Sequence, residues 1–214
     1  GSIKKFKLFS SMETWGKRAE YLRTGLNIDT WEKNQDIYVR GAKAHISHMN
    51  TYNILTVTSY KEFLQKILEW RAMYEDVIPD NLGMDEFVRK IRYDSPYLKE
   101  PLMYDMHLLP KEEFTPYLDE CLQFISDNLD NSDTTKFDDI EFERFRRLRD
   151  YFVTTQYDDH RINEGRIDFY NWFTEYDRRR DTDLLGTFPE MEPFFRMCEQ
   201  LATEQSENII ATGR

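Results

Sequence analysis

Residues 7–26 read KLFSSMETWGKRAEYLRTGL, and the reading of this stretch decides the fold. A short strand around Phe6 and Leu8 runs through Ser10-Ser11-Met12-Glu13 and passes into a helix that carries Ala19-Glu20-Tyr21-Leu22-Arg23. A hydroxyl, a carboxylate and a guanidinium are gathered where a strand ends and a helix begins. That junction is where α/β folds place small-molecule sites.

The same alternation continues outward. Lys4–Ser10 reads as a strand and Thr14–Thr24 as a helix, ended by Gly25 as a left-handed cap. Asp29 is placed to cap a second helix through Trp31, Ile37 and Tyr38, with Gly41 as its stop. Ala44–Tyr52 reads as a second strand. Ser59 and Glu62 have capping-box spacing ahead of Phe63, Leu64, Ile67 and Leu68 at helical intervals. Phe87–Tyr93 gives a third strand.

After Pro110 only helices follow. Their apolar stripes are Phe114/Leu118/Cys121/Leu122/Ile125, then Phe142/Phe145/Leu148/Phe152, then Phe169/Trp172/Phe173/Tyr176, and a last one behind Pro189. Residues 127–139 are acidic and turn-rich and read as a solvated loop. The order β-α-α-β-α-β predicts parallel strands joined by crossovers. Three such strands are too few for a closed barrel, but they suit the second half of a six-stranded partial one. The expected organisation is an α/β unit over residues 3–110, half of a partial TIM-type (β/α)6 barrel, followed by a helical C-terminal extension over 111–206.

At 214 residues the chain is long enough for a substantial core, and its 15% aromatic content assigns much of the packing to Phe and Tyr. The net charge of −11, with no basic face, argues against nucleic acid as a partner. Two distant cysteines form no disulfide framework and fit a reducing, cytoplasmic setting. No apolar run is long enough for a membrane span, and no signal peptide is seen. Gly1-Ser2 resembles a tag scar, and a strand that starts so abruptly suggests a truncated or split protein.

Arg23 can grip a carboxylate through two parallel hydrogen bonds, and Glu13 can accept from ribose hydroxyls or an ammonium. Ser11 can donate or accept beside them. The bland alternative is a surface pair between Glu20 and Arg23, three apart on one helix. His45 and His48 would point to opposite faces of a strand, which is wrong for a shared metal. Cys121 and Cys198 lie on apolar helix faces and read as core. Asp177-Arg178-Arg179-Arg180-Asp181 reads as a solvated helix end, and Asp158 as an N-cap.

Ser11-Met12-Glu13-Thr14-Trp15-Gly16, with Ala19-Glu20-Tyr21-Leu22-Arg23-Thr24-Gly25-Leu26 behind it, resembles the fourth strand and following helix of radical S-adenosylmethionine enzymes of the twitch type. His48–Leu55 resembles that family's fifth strand and its exit. Ser95-Pro96-Tyr97-Leu98 with Leu108-Leu109-Pro110 resembles the sixth. Asp168–Phe173 through Asp177-Arg178-Arg179 and Phe188-Pro189-Glu190 resembles its C-terminal region.

The resemblance implies that Ser11 and Arg23 hold the methionine end of the cofactor. Glu13, standing where the family has aspartate, joins them together with Asn50 and Asn53. The abrupt start leaves the edge of the first strand open, and a partner is expected to cover it, either a second copy or a polypeptide carrying the N-terminal half-barrel. The family's CxxxCxxC cluster loop is missing. On this reading the chain binds no iron–sulfur cluster, performs no radical chemistry alone, and holds S-adenosylmethionine weakly or only in a complete assembly.

Overall fold

The computed structural model describes residues 8–42, 45–77 and 89–212. Three short strands, β1 (Leu8–Ser11), β2 (Ile46–Met49) and β3 (Ile91–Asp94), form a parallel sheet in the order β1-β2-β3. The predicted strand starts at 4–7 and at 87–88 lie outside the described residues. Helices α1 (Gly16–Leu22) and α2 (Ile28–Ala42) join β1 to β2, and α3 (Tyr60–Met73) lies between β2 and β3. Then come α4 (Lys111–Asp127), α5 (Asp139–Thr154), α6 (Asp159–Arg180), the short α7 (Leu184–Thr187) and α8 (Glu192–Thr212). The parallel, three-stranded α/β arrangement matches the sequence reading.

Register places Leu8, Ile46 and Ile91 in one row across the sheet and Ser10, His48 and Tyr93 in another. These rows face the helices. Trp31 of α2 donates its indole N–H to Ser10 Oγ at 3.0 Å, and its ring lies 5.4 Å from that of His48. Trp70 of α3 sits 5.1 Å from His48 on the same side. The alternate rows, Phe9–Ser47–Arg92 and Ser11–Met49–Asp94, form the opposite face. There Phe9 is 61% exposed, and Ser11, Arg92 and Asp94 are open to solvent. A parallel sheet normally carries cover on both faces; among the described residues this one carries it on one.

Beneath the covered face, Trp15, Trp31 and Trp70 cluster with ring centres 5.0–6.1 Å apart, pinning the start of α1 to α2 and α3. His48 is fully buried among these rings. Neither of its ring nitrogens has a hydrogen-bond partner among the described residues, and burial, helped by the charge of Arg71, lowers its pKa to about 3.

The buried core runs without a break from Met12 to Cys198, across the boundary read at residue 110. Tyr21 of α1 packs on Phe188 and Tyr176 and donates its hydroxyl to Asp177 at 2.9 Å. Arg18 reaches Glu190 at 3.1 Å. The C-terminal helices therefore close onto the β1–α1 unit rather than trailing from it.

Several local expectations change. Asn27, not Asp29, caps α2, its side chain accepting from Thr30 N–H at 2.9 Å, and the helix continues through Gly41. Ser59 forms no capping box, because its hydroxyl turns back to the Leu55 carbonyl. Residues 127–139 do hold tight acidic turns, but Phe137 within them is buried. Trp172 is 44% exposed rather than core, whereas Phe169 and Phe173 are buried. Asp158 caps α6 as read.

Glycine matters where α6 crosses the 3-10 turns after β3. A Cβ on Gly165 would sit 2.5 Å from Leu108 Cδ2 and 2.9 Å from Leu102 Cγ. Gly165→Ala gains about 1 kcal/mol of helix propensity but overpacks the contact at a cost of about 1–3 kcal/mol. A net loss of about 1 kcal/mol in urea unfolding is expected. A more stable variant would show that Leu108 yields freely.

Candidate functional site

The candidate site grows from the C-terminal ends of β1 and β2. Past Ser11 the chain stays paired, Met12 N–H reaching the Met49 carbonyl at 3.2 Å, and Glu13 and Thr14 are drawn into the interior. Asn50, leaving β2, donates from Nδ2 to the Glu13 carbonyl at 2.6 Å and so fixes the exit of β1 from behind. Helix α1 ends at Leu22, and Gly25 turns the chain with φ +83°, a conformation that favours glycine. Arg23 thereby comes back over the sheet edge. It grips Glu13 in a two-pronged pair, Nε to Oε2 at 2.7 Å and Nη2 to Oε1.

Glu13, Arg23, Thr24, Thr51, Asn53 and Leu98 line a cleft of about 500 Å³. Tyr21, Tyr104, Phe173, Tyr176 and Arg180 line it too. The Arg23 side chain is 36% exposed, and no described residue accepts from its Nη1. Tyr21 stays protonated well above the ordinary range, first through burial and then through the Asp177 carboxylate it donates to. Burial likewise raises Tyr104. The cleft therefore offers donors, aromatic walls and one ion pair, but no imidazole or thiol.

Of the residues singled out from sequence, Glu13, Arg23 and Asn53 meet in the cleft. Asn53 spends its amide on its own loop, donating to Thr51 O and accepting from Leu55 N–H, so it shapes the wall. Asn50 supports from below. Ser11 does not join them: it lies on the open sheet face, in the row with Met49 and Asp94. The surface pair of Glu20 and Arg23 is replaced, since Glu20 bonds Lys17 and the Ile28 N–H while Arg23 takes Glu13.

Comparison with known proteins found no matching family model, no similar curated protein and no similar solved structure.

A second cavity of about 540 Å³ lies between the end of β3 and α5, walled by Tyr60, Tyr97, Phe145 and Tyr151. It is the less suitable candidate because neither the β1 exit nor the β2 exit reaches it. Sequence reasoning also missed a buried triad. His107 Nδ1 lies 2.7 Å from Asp105, whose other oxygen accepts from Tyr157 at 2.6 Å. Burial pushes the Asp105 carboxyl upward, but the hydrogen bonds from His107 and Tyr157 outweigh it and hold the group below its ordinary range. His107 Nε2 faces the Tyr151 carbonyl rather than a nucleophile, so the triad is a strut.

Cys121 and Cys198 are buried on α4 and α8, and burial raises each thiol to about 12. Such thiols stay protonated at neutral pH and are poor nucleophiles. Among the described residues no group of three His, Cys, Asp or Glu side chains could hold a metal ion, and no helix is long and apolar enough to cross a membrane.

Proposed function

We propose that the cleft binds S-adenosylmethionine and that this chain is the C-terminal part of a radical S-adenosylmethionine-type protein. On this reading the sheet is the second half of a partial (β/α)6 barrel, and the open face with Ser11, Met49 and Asp94 is its interior. The chain supplies part of the cofactor pocket and the substrate-side walls. The observation that carries the reading is the cleft at the C-terminal edge of a parallel sheet, with an arginine fork and a carboxylate delivered to it by consecutive turns. Its volume falls within the usual range of small-ligand sites.

The CxxxCxxC loop that carries the iron–sulfur chemistry of such proteins is not in this sequence, so no reaction step is assigned to this chain. A partner carrying the other half-barrel, or a second copy, would cover the open face. A non-catalytic α/β interaction module is the second reading. It is favoured by one feature: Glu13 and Arg23 already satisfy each other, which makes the pair a brace between the β1 exit and α1.

Calorimetry with S-adenosylmethionine separates the two. A weak but saturable signal is expected, falling about tenfold or more in Arg23→Ala, the usual scale for a lost charge-assisted hydrogen bond. No binding at millimolar ligand, or equal binding by Arg23→Ala, would favour the module.

A further inference from the structure

The run Arg178-Arg179-Arg180 is resolved by the fold into two roles. Arg178 bonds Glu175 through Nε and Nη2, and Arg179 bonds the same carboxylate through Nε. These two are spent on the outer surface. Arg180 has no carboxylate partner among the described residues. Its guanidinium folds back one turn, lies 4.3 Å over the Tyr176 ring and donates to the Tyr176 hydroxyl at 3.1 Å. That hydroxyl is itself held by the Tyr21 carbonyl at 2.6 Å. A cation at the last turn of a helix is expected from the dipole alone, but this one is turned away from the final carbonyls and into the cleft wall.

The cleft thus contains two guanidiniums and one carboxylate, and the carboxylate is taken by Arg23. Behind the wall the Asp177 carboxylate is taken up by the Tyr21 and Thr182 hydroxyls and the Leu184 N–H, so among the lining side chains the guanidinium of Arg180 is the one charge without a partner of opposite sign. Beside Arg180 the wall is aromatic, formed by Tyr104, Phe173 and Tyr176. An uncompensated guanidinium with a planar donor fork selects carboxylate or phosphate, and the adjoining rings select an apolar body.

We propose that Arg180 is the anion-binding residue of this cleft, and that the cleft takes an organic anion: an aromatic or apolar body bearing one carboxylate or phosphate. The assignment rests on the cleft being a ligand site, but not on S-adenosylmethionine being its other occupant.

Phenylacetate, phenyl phosphate and the neutral benzyl alcohol are the probes, followed by calorimetry or ligand-observed NMR at fixed salt. At least one anion should bind about fivefold or more tighter than benzyl alcohol, and which of the two binds tells carboxylate from phosphate. Arg180→Ala should remove that advantage while leaving benzyl alcohol binding unchanged and lowering the melting temperature by no more than about 4 °C, the scale of one exposed cation–π contact. Arg178→Ala should leave all three probes unaffected. Anion binding that survives Arg180→Ala, equal weakening by Arg178→Ala, or no binding of either anion overturns the assignment. S-adenosylmethionine binding that depends on Arg23 would stand apart from any of these results, so the two readings fail separately.

Discussion

Glu141→Gln is expected to be the most damaging single polar substitution in this protein, costing about 3–5 kcal/mol in denaturant unfolding. Arg71 of α3 is almost wholly buried and spends its guanidinium on four acceptors. Nε donates to the Ile91 carbonyl, Nη1 to the Lys136 carbonyl, and Nη1 and Nη2 to Glu141, at 2.6–3.2 Å. Glu141 also closes the capping box of α5 with Asp138. Removing its charge leaves the guanidinium buried without its close counter-ion, while the glutamine oxygen can still accept from the Asp138 N–H in the capping box. For a chain of this length the loss corresponds to a fall in Tm of roughly 6–20 °C. The double variant Arg71→Met/Glu141→Leu should recover at least half of it, because the cost lies in the orphaned charge more than in the missing pair. A loss under about 1 kcal/mol in Glu141→Gln would show that water reaches Arg71.

His48 gives the second large effect, and it is visible only as pH changes. Folded, the imidazole lies between Trp31, Phe63 and Trp70 with Arg71 as the nearby charge and Tyr93 beside it in the sheet row, and its pKa is lowered to about 3. Unfolded, it returns to an ordinary value near 6.5. Between these limits the unfolded chain takes up a proton that the folded one refuses. Stability is therefore full above the unfolded value and falls by about 1.4 kcal/mol for each pH unit of acidification towards the folded one. His48→Leu removes this dependence. Between pH 7 and 4.5 wild type should lose about 2–3 kcal/mol more than His48→Leu, a comparison in which the many carboxylates cancel. Parallel stability profiles for the two proteins would mean that His48 finds a proton acceptor in the fold.

The strand–helix alternation was legible because each element shows its own period, and the parallel order followed from the crossovers. The gathering of polar groups at the Ser11–Arg23 junction was legible for the same reason, and Glu13 with Arg23 does stand at a cleft. What sequence could not say is which atoms face which. Ser11 and Glu13 belong to the same short stretch, yet the strand's alternation leaves Ser11 on the open sheet face while the turn after Met12 draws Glu13 inward. Asn27 and Asp29 are both sound caps by composition, and only the path of the preceding turn selects the former. The i,i+3 and i,i+4 spacing of Glu175 to Arg178 and Arg179, and of Tyr176 to Arg180, was present in the sequence, but that Tyr176 lines a cleft was not. In the His107–Asp105–Tyr157 strut the bond from Tyr157 to Asp105 spans 52 residues of chain, with no local pattern to announce it.

The closing of the C-terminal helices onto α1 also has a meaning in time. The Tyr176 hydroxyl bonds the Tyr21 carbonyl across 155 residues of chain. At synthesis rates of about 5–20 residues per second, roughly 8–30 s separate the emergence of the two partners from the ribosome. Through that interval the wall that completes the cleft has not been made, so the pocket is among the last features a nascent chain acquires.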